Sequence, residues 1–205
     1  MSYYERLASD ETIKKTVASL KERNINAIVV ATREEALKKI KDLIPRGAGV
    51  MNGSSVTLQE IGFVDYLKNG KHGWNNIHEE ILNEKNSKKK AKLRKQSIIA
   101  PYFLGSVHAI TEGGQVVVAS ASGSQMPSYA FSSDNVIWVA GAQKIVPDLD
   151  SAMRRLNEFV IPLENKRMQS AGYPGTVLGR ILIFEREIMP NRHITLILVK
   201  EKLGF

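Results

Sequence analysis

Three short runs of small and hydroxyl-bearing residues carry most of the chemistry this chain can offer. They are NGSSVT at residues 52–57, TEGG at 111–114 and SASGSQ at 120–125. Each follows an apolar run that reads as a strand. Glycine lets the backbone approach an anion closely, and backbone N–H groups and hydroxyls at a helix start supply donors. Gly53, Ser54, Ser55 and Thr57 fit that description best, and a phosphate or a carboxylate is the ligand class they suit. Gly113 and Gly114 on the second run, with Gly123, Ser124 and Gln125 on the third, offer similar donors. Gly and Ser are also the ordinary residues of a strand-to-helix turn, so composition alone does not separate the two readings. Glu112 is the one carboxylate flanked by two of these runs, which makes it the candidate general base or nucleophile; a solvated turn residue is the plainer reading. Lys144 follows the apolar strand that ends in AGAQ, where it can meet an anionic substrate or simply face water.

Several chemistries are excluded. The GK[ST] ending of a phosphate-binding loop is missing, as are the GxGxxG dinucleotide fingerprint and the GxSxG nucleophile elbow. There is no cysteine, which removes disulfides, thiol nucleophiles, zinc thiolates and iron–sulfur ligation by the chain itself. His72 and His78 share a loop region with Trp74, Glu79 and Glu80, but their spacing matches no metal-ligand pattern. His108 lies in an apolar stretch and reads as a hydrogen-bonded interior residue. No intrinsic cofactor or metal is expected.

These turns need elements to hold them. Of 205 residues, 43% are hydrophobic and 24% charged, the balance of a globular chain. The net charge of +8 is local: residues 85–95 hold seven bases and no acid, and removing those seven leaves +1. A basic run without aromatic residues reads as a solvated helix face and disfavours nucleic-acid recognition. No apolar run approaches the length of a membrane span. The first residues carry acids and no apolar core, unlike a signal peptide, and a cytoplasmic location is expected.

Ile13, Val17 and Leu20 fall on one face of a helix expected within residues 1–24. AIVVAT (27–32) reads as a strand buried on both faces, and Thr32 with Glu35 as a capping box opening a helix to about residue 44. A short strand follows at 47–52, then a helix at 58–67 weakened by Gly62, a loop at 69–76 and a basic helix at 77–96. Apolar stretches at 97–111, 116–121, 135–142, 181–184 and 194–199 supply the remaining strands. A helix from 149 to 160 is interrupted by Pro162. Strands alternating with helices predict an α/β domain spanning 1–205, with a parallel-rich open sheet and helices on both faces.

Four blocks in order resemble a known family. NGSSVTLQEIGF (52–63), SVHAITEGGQVVVASASGSQ (106–125), VAGAQKIVPDLDSAMRR (139–155) and HITLILVKEKLGF (193–205) resemble the LUD-domain proteins, the lactate-utilization protein C family. The resemblance implies a fold similar to ribose-5-phosphate isomerase, glucosamine-6-phosphate deaminase and CoA transferases. It also implies an accessory role in oxidation of L-lactate to pyruvate, through a small anionic metabolite or a partner subunit carrying iron–sulfur clusters. An independent enzyme of the sugar-phosphate isomerase or CoA-transferase type is the alternative, and a homo-oligomer is compatible with either. Family resemblance assigns no catalytic residue.

Overall fold

The computed structural model describes residues 2–205. Its strands, in chain order, are β1 (Ile25–Val30), β2 (Gly49–Asn52), β3 (Asn75–Asn76), β4 (Tyr102–Ser106), β5 (Ala109–Thr111), β6 (Val116–Ser120), β7 (Asn135–Gly141), β8 (Ile145–Val146), β9 (Arg180–Phe184) and β10 (His193–Val199). Its α-helices are α1 (Asp10–Glu22), α2 (Arg33–Leu43), α3 (Val56–Glu60), α4 (Phe63–Lys68), α5 (Ile77–Asn83), α6 (Ser87–Gln96), α7 (Leu149–Arg155) and α8 (Ile161–Ser170).

Six strands form an all-parallel sheet in the order β1-β10-β7-β4-β2-β3. Its central strands are apolar throughout because both faces are buried. Along β7 and β10, Val136, Trp138, Ala140, Ile194, Leu196 and Leu198 point to one core; Ile137, Val139, Ile197 and Val199 point to the other. The second core is closed by α2, α3 and α4, through Ala36, Ile40, Leu58, Phe63 and Leu67. The first core is closed by α1 and by a feature the sequence pattern does not announce: a second, mixed sheet in the order β8-β5-β6-β9. Val116, Val118 and Phe184 of that sheet pack onto Trp138 and its neighbours, while α7 and its continuation cover the outer side at Ala109, Val117 and Ala119.

Several local expectations are revised. β1 is an edge strand with a half-exposed middle, not a strand buried on both faces. Ser2 and Ser9 each cap a helical start, so residues 3–22 split into a single turn (Tyr3–Glu5) and α1. Gly62 takes φ +75°, a left-handed conformation open to glycine, and separates α3 from α4. Asn86 accepts from the Lys89 N–H and starts α6 afresh, which divides the expected basic helix. Pro162 does not end its helix. A π-turn at Leu156–Val160 precedes it and the helical backbone runs on into α8; π-turns of this kind are where a helix absorbs a local break in its hydrogen-bond ladder.

The segment before β10 is held by a buried ion pair. Arg192 pairs with Glu187 and also donates to the Ser128, Tyr129 and Ser133 carbonyls. Glu187 accepts from the Ile188 and Met189 N–H groups as well. Removing one partner of such a pair leaves a buried charge uncompensated, at a cost of about 3–5 kcal/mol. Glu187→Ala is therefore expected to destabilise the fold by about that amount in urea unfolding; a change below about 1 kcal/mol contradicts the assignment.

Candidate functional site

In an open parallel sheet, ligands collect beyond the carboxyl ends of the strands where the strand order reverses. Here β2 leads outward to β3, while β4 leads inward to β7. The connections out of β2 and β4 therefore run in opposite directions, which makes the sheet end at Asn52 and Ser106 the candidate ligand crevice.

A second constraint acts at the same end. After Ser106 the chain passes through Val107 and His108 and joins the small sheet as β5; after Gly141 it passes through a short turn (Ala142–Lys144) and joins it as β8. β4 and β7 are neighbours in the large sheet, and β5 and β8 are neighbours in the small one. Two adjacent corners thus lie side by side and bring Ser106, His108 and Lys144 together.

Lys144 is 2% exposed, and its Nζ donates to Ser106 Oγ (3.0 Å), the Val107 carbonyl (3.1 Å) and Thr57 Oγ1 (3.2 Å). Three acceptors match the three N–H groups of an ammonium. Burial first, then the positive charge of Arg155, lowers its pKa to about 7, with Glu60 opposing weakly. The amine is therefore poised between charged and neutral forms near physiological pH. His108 Nδ1 accepts from the Ala119 N–H at 3.0 Å, which leaves the ring proton on Nε2. Burial, Lys144 and Arg155 lower its pKa to about 3, so the imidazole stays neutral. No carboxylate hydrogen-bonds to either group among the described residues.

The tail after β10 closes over this cluster. The Leu203 carbonyl accepts from Gln143 Nε2 (2.8 Å) and lies 3.5 Å from Thr57 Oγ1. Gly204 follows so closely that an added Cβ would sit 2.4 Å from Thr57 Oγ1 and 3.3 Å from Lys144 Nζ. Glu60 accepts from the Gly204 N–H at 2.6 Å and fixes the tail.

The sequence candidates are only partly gathered here. Thr57 and Lys144 are in contact. Gly53 lies just past β2, its N–H bound to the Leu104 carbonyl, and a Cβ there would lie 3.1 Å from Gln125 Oε1, so the Gly123–Ser124–Gln125 turn borders the same crevice. Ser54 is exposed, whereas Ser55 caps α3 by accepting from the Leu58 N–H. α3 has five residues, too few for an appreciable helix dipole. Gly113 and Gly114 belong to the β5–β6 turn, which packs against α1 at Ser19 and binds Arg23 through the Gly113 carbonyl. Glu112 sits on that turn, paired with Lys15 at 2.8 Å. It lines a separate cleft of about 410 Å³ that shares Tyr4 and Gln143 with the surroundings of Lys144.

Ser106, His108, Gln143 and the tail were not legible as site residues, because their partners are distant in sequence. The basic helix α6 is connected to the crevice. His78 Nδ1 lies 3.0 Å from Asn52 Oδ1 at the end of β2, and Arg94 of α6 lies near enough to help burial lower the His78 pKa. His72 instead stacks on Trp74, and no group of three metal-ligating side chains occurs among the described residues. A cavity of about 450 Å³ at the amino ends of β7 and β10 includes Arg192, which is already engaged by Glu187 and three carbonyls.

The LUD domain matches residues 13–199, nearly the whole chain. The chain belongs to the LUD-domain family. The crystal structure of a DUF162 family protein from Deinococcus radiodurans superposes with a TM-score of 0.56 at 12% identity, covering 95% of this chain and 99% of that one. At that identity the likeness establishes the fold of the LUD-domain protein alone. A weaker likeness to eIF2B beta from Chaetomium thermophilum has a TM-score of 0.32 at 12% identity over 68% of this chain and 43% of that one, and carries no argument. No curated protein matches the sequence. The parallel sheet flanked by helices is the architecture expected from the sequence, and no helix is long and apolar enough to cross a membrane among the described residues.

The depressed pKa of Lys144 has a consequence for stability. Below about pH 7 both folded and unfolded chains carry the proton, and the folded state bears the full cost of a buried ammonium. Between about 7 and roughly 10.4 the unfolded chain keeps the proton while the folded one loses it, so stability rises with pH. The Tm of the wild-type protein is expected to climb relative to Lys144→Met between pH 7 and pH 10. A constant difference across that range contradicts the buried-amine description.

Proposed function

We propose that this LUD-domain protein is an accessory component of L-lactate utilization and that it binds a small anionic metabolite, lactate or pyruvate, beside Lys144. The observation that carries the reading is the Lys144–Thr57–Ser106 cluster at the carboxyl ends of β2 and β4. The cluster lies at the sheet end where ligands of parallel sheets are held. A ligand anion beside Lys144 would draw the amine toward the protonated form. Arg94 of α6, near His78 at the end of β2, adds an attractive field for an incoming anion.

Electron transfer, if it follows, belongs to a partner. With no cysteine in the chain and no three-residue metal cluster among the described residues, the residues present do not fit an iron–sulfur cluster. The isomerase or transferase alternative calls for a carboxylate at the reacting centre. Glu112 is turned to Lys15 and Glu60 to the tail, which favours the binding reading.

Calorimetry with L-lactate and pyruvate tests this, together with co-purification of a partner identified by iron–sulfur absorbance. Saturable binding of either acid is expected. Lys144→Met is expected to weaken it about ten- to a hundredfold, the scale of losing a charge-assisted hydrogen bond. The absence of both a heat of binding and an iron–sulfur partner overturns the reading.

A further inference from the structure

Arg155 is the last residue of α7 and is fully buried. Its Nε and Nη1 have no hydrogen-bond partner, and Nη2 reaches only the Tyr4 carbonyl at 3.5 Å. No acidic side chain pairs with it among the described residues. The guanidinium lies over the Phe159 ring, 5.2 Å from its centroid. Tyr4 packs on the same ring and donates its hydroxyl to Glu158 at 2.6 Å. Glu158 is thus turned to Tyr4. Burial lowers the Arg155 pKa only to about 10, so the group is charged at neutral pH.

A buried, charged guanidinium with four of its five N–H groups unpaired is costly and needs explanation. Its neighbours supply one. Arg155 is close enough to Lys144 and His108 to depress the proton affinity of both. The turn Tyr3–Glu5 packs onto the turn at Ala142–Lys144, and Glu5 is tied to Lys202 of the tail at 2.8 Å. The amino-terminal segment and the tail therefore cover one cationic cluster together. An unpartnered guanidinium at such a covered position suits one small anion rather than a surface ion pair.

We propose that Arg155 is the anchoring residue for a ligand carboxylate, held beside Tyr4 and Phe159 within the cationic cluster that also contains Lys144 and His108. This deepens the proposed function and rests on its placing of the ligand beside Lys144. A planar carboxylate suits the guanidinium fork. A phosphate is less well served, because the N–H groups of Gly53 and Leu58 at the nearby turn are already bonded. In a 2-hydroxy or 2-keto acid so anchored, the C2 oxygen is available to His108 Nε2–H, or to Lys144 in exchange for one of its three present acceptors.

The test compares thermal unfolding of the wild-type protein and Arg155→Met in sodium acetate, L-lactate, pyruvate and inorganic phosphate, against sodium chloride at matched ionic strength. Removing an uncompensated charge is expected to raise the Tm of the anion-free protein by about 2 °C or more. It is also expected to abolish a saturable Tm rise that carboxylates give the wild type. In parallel, the Arg155 Nε–H resonance of the wild-type protein, followed by NMR during acetate titration, is expected to shift saturably; this arm does not depend on the variant folding. A lowered Tm in Arg155→Met with no saturable resonance shift in the wild type overturns the proposal. A response to phosphate but not to carboxylates overturns the ligand class. Lactate or pyruvate binding that survives in Arg155→Met overturns the role of Arg155 and leaves the lactate reading intact. An Arg155-dependent response to acetate without any to lactate or pyruvate supports the anchor and removes the lactate reading.

Discussion

Positive charge taken out of water without a counter-charge is the constraint on which this structure turns. Lys144 and Arg155 are both buried, and no carboxylate contacts either among the described residues. The two sites handle the cost differently. Lys144 finds three oxygen acceptors and a lowered proton affinity; Arg155 finds an aromatic ring and one distant carbonyl. A protein interior tolerates such an arrangement when the fold is stable enough elsewhere, and strained or unpaired groups of this kind cluster at binding sites. The two apolar cores on either face of the parallel sheet, each built on β7 and β10, supply that stability.

The architecture explains why the cations meet. Two neighbouring strands, β4 and β7, leave the large sheet at the same end and re-pair in the small one as β5 and β8. Each corner turns aside residues that regular strand geometry would pair with a neighbouring strand. Ser106, His108 and Lys144 are those residues. α7 then crosses the outer face of the small sheet and delivers Arg155, while the tail after β10 returns over Thr57 and Lys144. Segments at positions 4, 57, 106, 144, 155 and 203 are thereby brought to one end of one sheet. The basic helix α6 is joined to that end through Arg94, His78 and Asn52, so the local charge of residues 85–95 has a place in the same picture.

Much of this was readable beforehand, for physical reasons that differ by element. β7 and β10 are long, almost wholly apolar runs, with Thr195 the one polar residue inside them, and a strand buried on both faces needs such a run. α2 announced itself by Thr32 and by Ile40 and Ile44 on one face. β1 misled because its apolar composition resembles a central strand although it lies at the sheet edge. The second sheet was hidden because β5 and β8 have three and two residues, too few for a period to show. At the site, Thr57 and Lys144 carried signals as a small-residue turn and a post-strand lysine. Glu112 carried an equal signal and lies in a neighbouring cleft, because its turn is tied to α1 by Lys15 and Arg23. Arg155 left a trace that went unused: it falls three residues after Ala152 and beside Leu156, a base on the apolar side of its helix.

Membership of the LUD-domain family and the likeness to a solved DUF162 protein place the fold, and the chemistry rests on the buried cations. The titration of Lys144, followed through its side-chain nitrogen resonance in the free protein and again with a saturating carboxylate, tests that chemistry most directly. The account predicts a midpoint near 7 in the free protein, moving upward when the anion binds. A midpoint near roughly 10.4, the value of an ordinary solvated lysine, and unmoved by any carboxylate, would contradict it.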